Sequence, residues 1–121
     1  MAKTILVADD NPKIRATLCK LFESEQDYDI CAEASNGLEA VNLAQTCRPD
    51  LIILDLSMPV MDGLTAAREL KRLMPNVPII LFTQFADLSK HMMGHTFSVD
   101  RVVSKSEVKE LVGHVRSLIP V

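Results

Sequence analysis

Five short apolar runs, each followed by a stretch with helical periodicity, set the strongest limit on how this chain can fold. Thr4–Ala8 leads into Ile14, Leu18, Leu21 and Phe22, which recur at i, i+4, i+7 and i+8 and so share one helix face. Asn11 stands where an N-cap is needed, with Pro12 at the first helical position. The second run, Asp29–Glu33, precedes a stripe of Leu38, Val41 and Ala44 that opens with Asn36 and Glu39 in capping-box spacing. Arg48-Pro49 stops that helix. Leu51–Asp55 and Val77–Phe82 are the third and fourth strands, the latter with Pro78 near its start. Between them Leu64, Ala67 and Leu70 mark a helix that closes before Pro75. Arg101–Val103 is a fifth strand, and Val108, Leu111, Val112, Val115 and Ile119 mark the last helix. Only Phe85–Val99 is weakly patterned: Leu88, His91 and Met92 fit a helix face that Gly94 interrupts.

Strands that are apolar almost throughout, alternating with helices, predict an α/β fold with a parallel sheet covered on both faces. Right-handed crossovers leave few arrangements. At 121 residues, without linkers or repeats, the chain reads as one domain over 1–121. In such sheets ligands sit outside the carboxyl ends of the strands, where strand order switches.

What ends each strand is therefore informative. The first gives Asp9 and Asp10, the third Asp55, the fourth Thr83, and the fifth is followed by Ser104 and Lys105. Three gathered carboxylates repel unless a cation joins them. An all-oxygen set suits Mg²⁺, which keeps several waters and commonly shares a phosphate with one or two carboxylates. Lys105 adds a mobile positive charge suited to a phosphoryl oxygen and Thr83 a hydroxyl donor. Acid cluster, divalent metal, hydroxyl and lysine make a phosphoryl-handling site. An acid after the first strand is ordinarily a helix cap, but Asn11-Pro12 already provides one. Asp55 alone would pass for a turn former, and Thr83 and Lys105 are commonplace singly; the set carries the reading.

Other classes are disfavoured. A net charge of −3 with scattered basic residues argues against nucleic-acid binding by this segment. Cys19, Cys31 and Cys47 are odd in number and lack metal-ligand spacing; they read as small core residues of a protein in a reducing cytosol. The apolar run in MAKTILVADD is too short for a secretion signal, and no window approaches the ~20 apolar residues of a spanning helix. A cytoplasmic location away from membranes is expected. His91 and His95 are four apart but lack a third ligand, and His114 reads as solvated.

The motifs ILVADDN and LIILDLSMPVMDG, with Thr83 and Lys105, resemble the receiver domains of two-component response regulators over the whole chain. That resemblance implies a three-layer flavodoxin-like (βα)5 fold with the sheet ordered 2-1-3-4-5. It implies that Asp55 accepts a phosphoryl group from a sensor histidine kinase. Mg²⁺ would be bound by Asp10, Asp55 and the backbone carbonyl of Ser57, with Asp9 acting mainly through water. Thr83 and Lys105 would bind the acyl phosphate, and the 85–99 region beside Thr83 would move. The domain would not be an enzyme in the usual sense, although it would catalyse its own phosphorylation and dephosphorylation.

Departures from the family pattern are specific. Val102 stands where a switching Tyr or Phe is usual. Gln84 replaces the small residue after the threonine and narrows access to Asp55, and Met58 is a second candidate to line the site. Ser106 follows the lysine where Pro is common. The wording DLSMPVMDGL resembles receivers that precede a LuxR-type helix-turn-helix domain, so an excised receiver, a free-standing receiver with a separate partner, and a homodimer are all compatible outputs. Three other functions compete. A receiver-like interaction domain that is never phosphorylated would fit Gln84 and Val102. A Mg²⁺-dependent phosphohydrolase would need a second acid where Ser57 stands. A flavin module would need a phosphate loop where DDNPKIR places two acids.

Overall fold

The computed structural model describes residues 2–84 and 98–121. Its elements are β1 (Lys3–Ala8), α1 (Pro12–Glu23), β2 (Tyr28–Ala34), α2 (Gly37–Cys47), β3 (Leu51–Leu54), α3 (Gly63–Leu73), β4 (Ile79–Thr83), β5 (Arg101–Ser104), a 3-10 segment (Lys105–Glu110) and α4 (Leu111–Leu118). The strands form one parallel sheet in the order β2-β1-β3-β4-β5. This is the expected flavodoxin-like arrangement.

Period-two alternation within apolar strands divides the core in two. Leu6, Ala8, Ile52, Leu54, Ile79 and Leu81 meet α2 and α3 through Ala40, Val41, Ala44, Ala66, Ala67 and Leu70. Their neighbours Ile5, Val7, Leu51, Ile53, Ile80 and Phe82 meet α1 and α4 through Leu18, Phe22, Leu111, Val115 and Ile119. Both faces being covered is why these strands carry almost no polar residue. The small residues of α2 and α3 let those helices lie close to the sheet.

Local signals act as the sequence suggests at the starts of α1 and α2, and a third cap appears at α3. Asn11 Oδ1 accepts from the Lys13 N–H at 2.9 Å, ahead of Pro12. At α2 Asn36 Oδ1 accepts from the Glu39 N–H, and Glu39 Oε1 reaches back past the cap to accept from the Ser35 N–H, a variant of the capping box. Asp62 caps α3 by accepting from the Thr65 N–H at 2.7 Å.

Boundaries differ from the sequence reading where packing decides. β2 gains Tyr28 and Ala34, both buried. β4 starts at Ile79, after Pro78, because a proline has no N–H for the ladder. β5 extends to Ser104, paired in register with Thr83. The last helix opens as 3-10 and kinks at Glu107 (φ −108°, ψ 39°) before becoming regular. His114, expected in solvent, is half-buried, its Nδ1 3.1 Å from Arg101 Nη1. Residues 85–97 of the expected switch segment, with His91, His95 and Met92-Met93, lie outside the described residues, while Val99 at its end is buried in the α2/α3 core.

Candidate functional site

Register explains how the acids meet. Ala8 and Leu54 are paired across the parallel β1/β3 ladder, so the next residues, Asp9 and Asp55, emerge side by side. The ladder continues one step: the Asp55 N–H donates to the Ala8 carbonyl at 2.9 Å and the Asp9 N–H to the Ala34 carbonyl at 3.0 Å. Carboxylate oxygens of Asp9, Asp10 and Asp55 lie within 4.8 Å of one another. Asp9 and Asp55 are 2% and 6% exposed, whereas Asp10 faces solvent. Two buried acids this close require compensation.

Lys105 supplies it. Its Nζ lies 2.7 Å from Asp9 Oδ2 and 3.2 Å from Asp55 Oδ2. It arrives from the end of β5, two strands away from β3, and only a long side chain spans that distance. Burial opposes the charge on Lys105, but the hydrogen bond to Asp9 and the charges of Asp55 and Asp9 outweigh it and raise its pKa. Asp55 is also raised: burial is the main cause and Asp9 the second, and Lys105 only partly offsets them. Burial and Asp9 together therefore disfavour the ionised form of Asp55.

The second Asp9 oxygen accepts from the Asn11 N–H at 2.9 Å, which fixes its plane. Thr83 ends β4, between β3 and β5, and is fully buried. Ser57 is exposed, two residues beyond Asp55 in the same loop. Met58 is 8% exposed and belongs to the core on the α2/α3 side, so packing is its first role. Gln84 is exposed just past β4, and Val102 packs half-buried against the α2/α3 core, opposite Leu81. Asp9, Asp10, Asp55 and Lys105 are thus brought together, Thr83 stands on the strand between, and Val102 and Met58 lie within the packing.

Two participants escape a reading of the sequence. Arg15 Nη1 donates to the Asp9 backbone carbonyl at 2.6 Å and its Nε lies 3.4 Å from Glu33 Oε1; the pairing with β2 has no local signature. Gly63 closes the floor. Its N–H donates to the Leu56 carbonyl at 2.8 Å, and a Cβ there would lie 2.0 Å from the Asp55 carbonyl oxygen. The Asp62-Gly63 pair signals only a helix start; the close approach is tertiary.

A family model described as the response regulator receiver domain matches residues 5–116. This chain belongs to that family. It is 42% identical over 83 residues to protein-glutamate methylesterase/protein-glutamine glutaminase 4 of Hahella chejuensis, covering 69% of this chain and 21% of that protein. The receiver spans about a fifth to two-fifths of the length of such curated relatives, and the match concerns their receiver part. Among solved structures, it is similar to response regulator TrrA of Thermotoga maritima in complex with Mg²⁺-BeF, at 35% identity and TM-score 0.86 over 97% of this chain and 99% of that one. A LuxR-family response regulator from Aurantimonas superposes with TM-score 0.84 at 27% identity, over 98% of this chain and 85% of that one.

Receiver domains bind Mg²⁺ at an acidic pocket, and the donor set here fits such an ion. Three carboxylates against one ammonium leave two formal negative charges, which a divalent cation would cancel. All donors are oxygens, as a hard cation prefers, and the exposed Asp10 leaves one side open to the waters Mg²⁺ retains. Among the described residues no helix is long and apolar enough to cross a membrane.

Proposed function

We propose that this receiver is a phosphorylation-dependent switch in which Asp55 accepts a phosphoryl group from a sensor histidine kinase. The observation that carries the reading is Lys105 bridging two buried acids, with Asp55 left as the group under strain. In the transfer an Asp55 oxygen attacks phosphorus in line, and the bond from phosphorus to the donor's imidazole nitrogen breaks. Mg²⁺, held by Asp10, Asp55 and the Ser57 carbonyl, with Asp9 acting through water, would neutralise the phosphoryl oxygens. Lys105 keeps Asp9 and turns its remaining donors to a phosphate oxygen. Thr83 offers its hydroxyl to another. Catalysis is then mainly positioning and electrostatics.

Phosphorylation replaces a singly charged carboxylate with a group carrying about one more negative charge and new acceptor oxygens. Asp55 would then compete for Lys105, and Thr83 would follow the phosphate. Moving a two-state element from mostly inactive to mostly active requires a difference of about 5 kcal/mol between its states. With Val102 in the packing, this movement proceeds without an aromatic ring at that position. The output is an attached helix-turn-helix domain, a separate partner or a homodimer, acting in the cytoplasm, with no nucleic-acid contact by this segment itself. Residues 1–121 are read as one receiver domain.

A second reading, an interaction domain that is never phosphorylated, is favoured by Gln84 standing exposed immediately after Thr83. The test is intact-mass analysis after acetyl phosphate treatment, with Mg²⁺ and with chelator, beside Asp55→Asn. A single phosphoryl adduct that needs both Mg²⁺ and Asp55 supports the switch. No adduct despite Mg²⁺-dependent thermal stabilisation supports the second reading, and Gln84→Ala should then restore labelling if that side chain blocks entry. Neither adduct nor stabilisation overturns the proposed chemistry.

A further inference from the structure

The sulfurs of Cys31 and Cys47 lie 3.0 Å apart, the Cys31 thiol donating to Cys47. All three cysteines are free, and these two come from different elements: Cys31 from β2 and Cys47 from the last position of α2. The backbone aims both. Ile5 pairs with Ile30 and Leu6 with Ala32, so Cys31 is an extra residue with no partner in the β1 register. A bulge of this kind re-aims side chains, and Cys31 and Ala32 both pack on the α2/α3 side. Cys47 is held by the abrupt end of α2, where Arg48 turns left-handed at φ 47°.

We propose that Cys31 and Cys47 are a reversible dithiol/disulfide site, oxidised by small-molecule disulfides. The sulfurs need approach by only about 1 Å to reach bonding distance. Burial, and then the hydrogen bond to Cys47, push the Cys31 thiol up to about 12; because Cys31 donates its S–H to the Cys47 sulfur, Cys47 is the sulfur that attacks first. The Cys47 thiolate displaces one thiolate from the small disulfide and forms a mixed disulfide. Cys31 then attacks the Cys47 sulfur and displaces the second thiolate. The two protein S–H protons end on two small-molecule thiols, and two electrons pass to the reagent.

The pair is separate from the acid cluster. α2 begins after the carboxyl end of β2 and runs back to the amino end of β3, so its last residue lies at the edge of the sheet opposite Asp9 and Asp55. Oxidation would staple the edge strand β2 to α2. Cys19, on α1, packs on the other face of the sheet, and burial, then Glu33, pushes its thiol up to about 11; it has no part in the exchange.

The test treats the reduced protein with oxidised glutathione, quenches in acid, alkylates and measures the intact mass and peptide linkage. The expected product is lighter by two hydrogens before alkylation, keeps one alkylatable thiol, and links the Cys31 and Cys47 peptides. Its Tm should rise by about 10 °C and fall back on reduction, as closing a loop of this length predicts. Cys19→Ser should keep this product, and Cys31→Ser or Cys47→Ser should abolish it. A stable glutathione adduct, an interchain dimer as end product, a linkage through Cys19, or three thiols still free would each overturn the proposal, as would an oxidised form no more stable than the reduced one.

Discussion

Replacing Lys105 with methionine tests the electrostatic design of the site most directly. Methionine keeps an apolar stem of similar length and removes the charge. At 2.7 and 3.2 Å from Asp9 and Asp55, the two attractions are worth roughly 6 and 5 kcal/mol at an effective dielectric of 20. Most of this is offset by the desolvation of all three groups, and removing one partner of a buried pair typically costs about 3–5 kcal/mol. The lysine side chain remains 18% exposed, which favours the lower end. A loss of about 3 kcal/mol at pH 7 is expected, equivalent to a fall in Tm of about 12 °C for a chain of this size. Urea denaturation and calorimetry would measure it. The pH dependence is diagnostic. The Lys105 pKa is raised in the folded state, so its stabilisation is fully present below the unfolded value of about 10.5 and is lost as pH rises through the folded value. The gap between the two proteins should therefore close above that range. It should also shrink in acid, where protonated carboxyls need no ammonium. Adding Asp55→Asn to Lys105→Met should return about 2 kcal/mol, more than the same change does alone. A loss below about 1 kcal/mol, or one equal at pH 4 and pH 8, would refute the reasoning.

Three further outcomes follow from the same geometry. Asp55→Asn should raise the metal-free Tm by about 4 °C at pH 7. Because the Asp55 pKa is raised, chiefly by burial, its contribution is complete below about 3.8 and is lost as pH rises through the folded value, so the mutant's advantage should open above pH 4 and vanish below it. A mutant less stable than the parent at pH 7 would contradict this. Val60 is 77% exposed at φ 70°, and Val60→Gly should gain about 0.5–1 kcal/mol, the relief of left-handed strain less the entropy of the freed chain; any loss in chemical denaturation would count against strain there. Gly63→Ala would set a Cβ 2.0 Å from the Asp55 carbonyl oxygen, and also against the backbone of Leu56. A loss of about 3 kcal/mol is expected, together with slower labelling by acetyl phosphate, and an unperturbed variant would show the loop to be free to move.

The elements that were legible in the sequence are those whose signal is local. Caps at Asn11 and Asn36 depend on residues two to three positions away, and the stop at Pro49 depends on one ring. Site residues at strand ends were legible for a related reason: once strands are parallel, their carboxyl ends share an edge, and Asp9, Asp55, Thr83 and Lys105 must gather there. Arg15 and Gly63 were not legible, because their roles rest on Asp9 and Asp55 backbone atoms that arrive from other elements. His114 was misplaced in solvent for the same reason, since Arg101 meets it across thirteen positions.

Sequence alone determined the alternation, the two-sided burial of the strands and the inventory of the acid cluster, since periodicity and residue type are properties of neighbours along the chain. Tertiary structure alone decided who pairs with whom. The bond from Lys105 to Asp9, shorter than that to Asp55, the floor that excludes a side chain at Gly63, and the meeting of Cys31 with Cys47 across a bulged strand all depend on register and strand order. Those interactions fall off within a few ångströms, so a shift of one residue in register would reassign every one of them, whereas the periodic pattern that builds the sheet would hardly change.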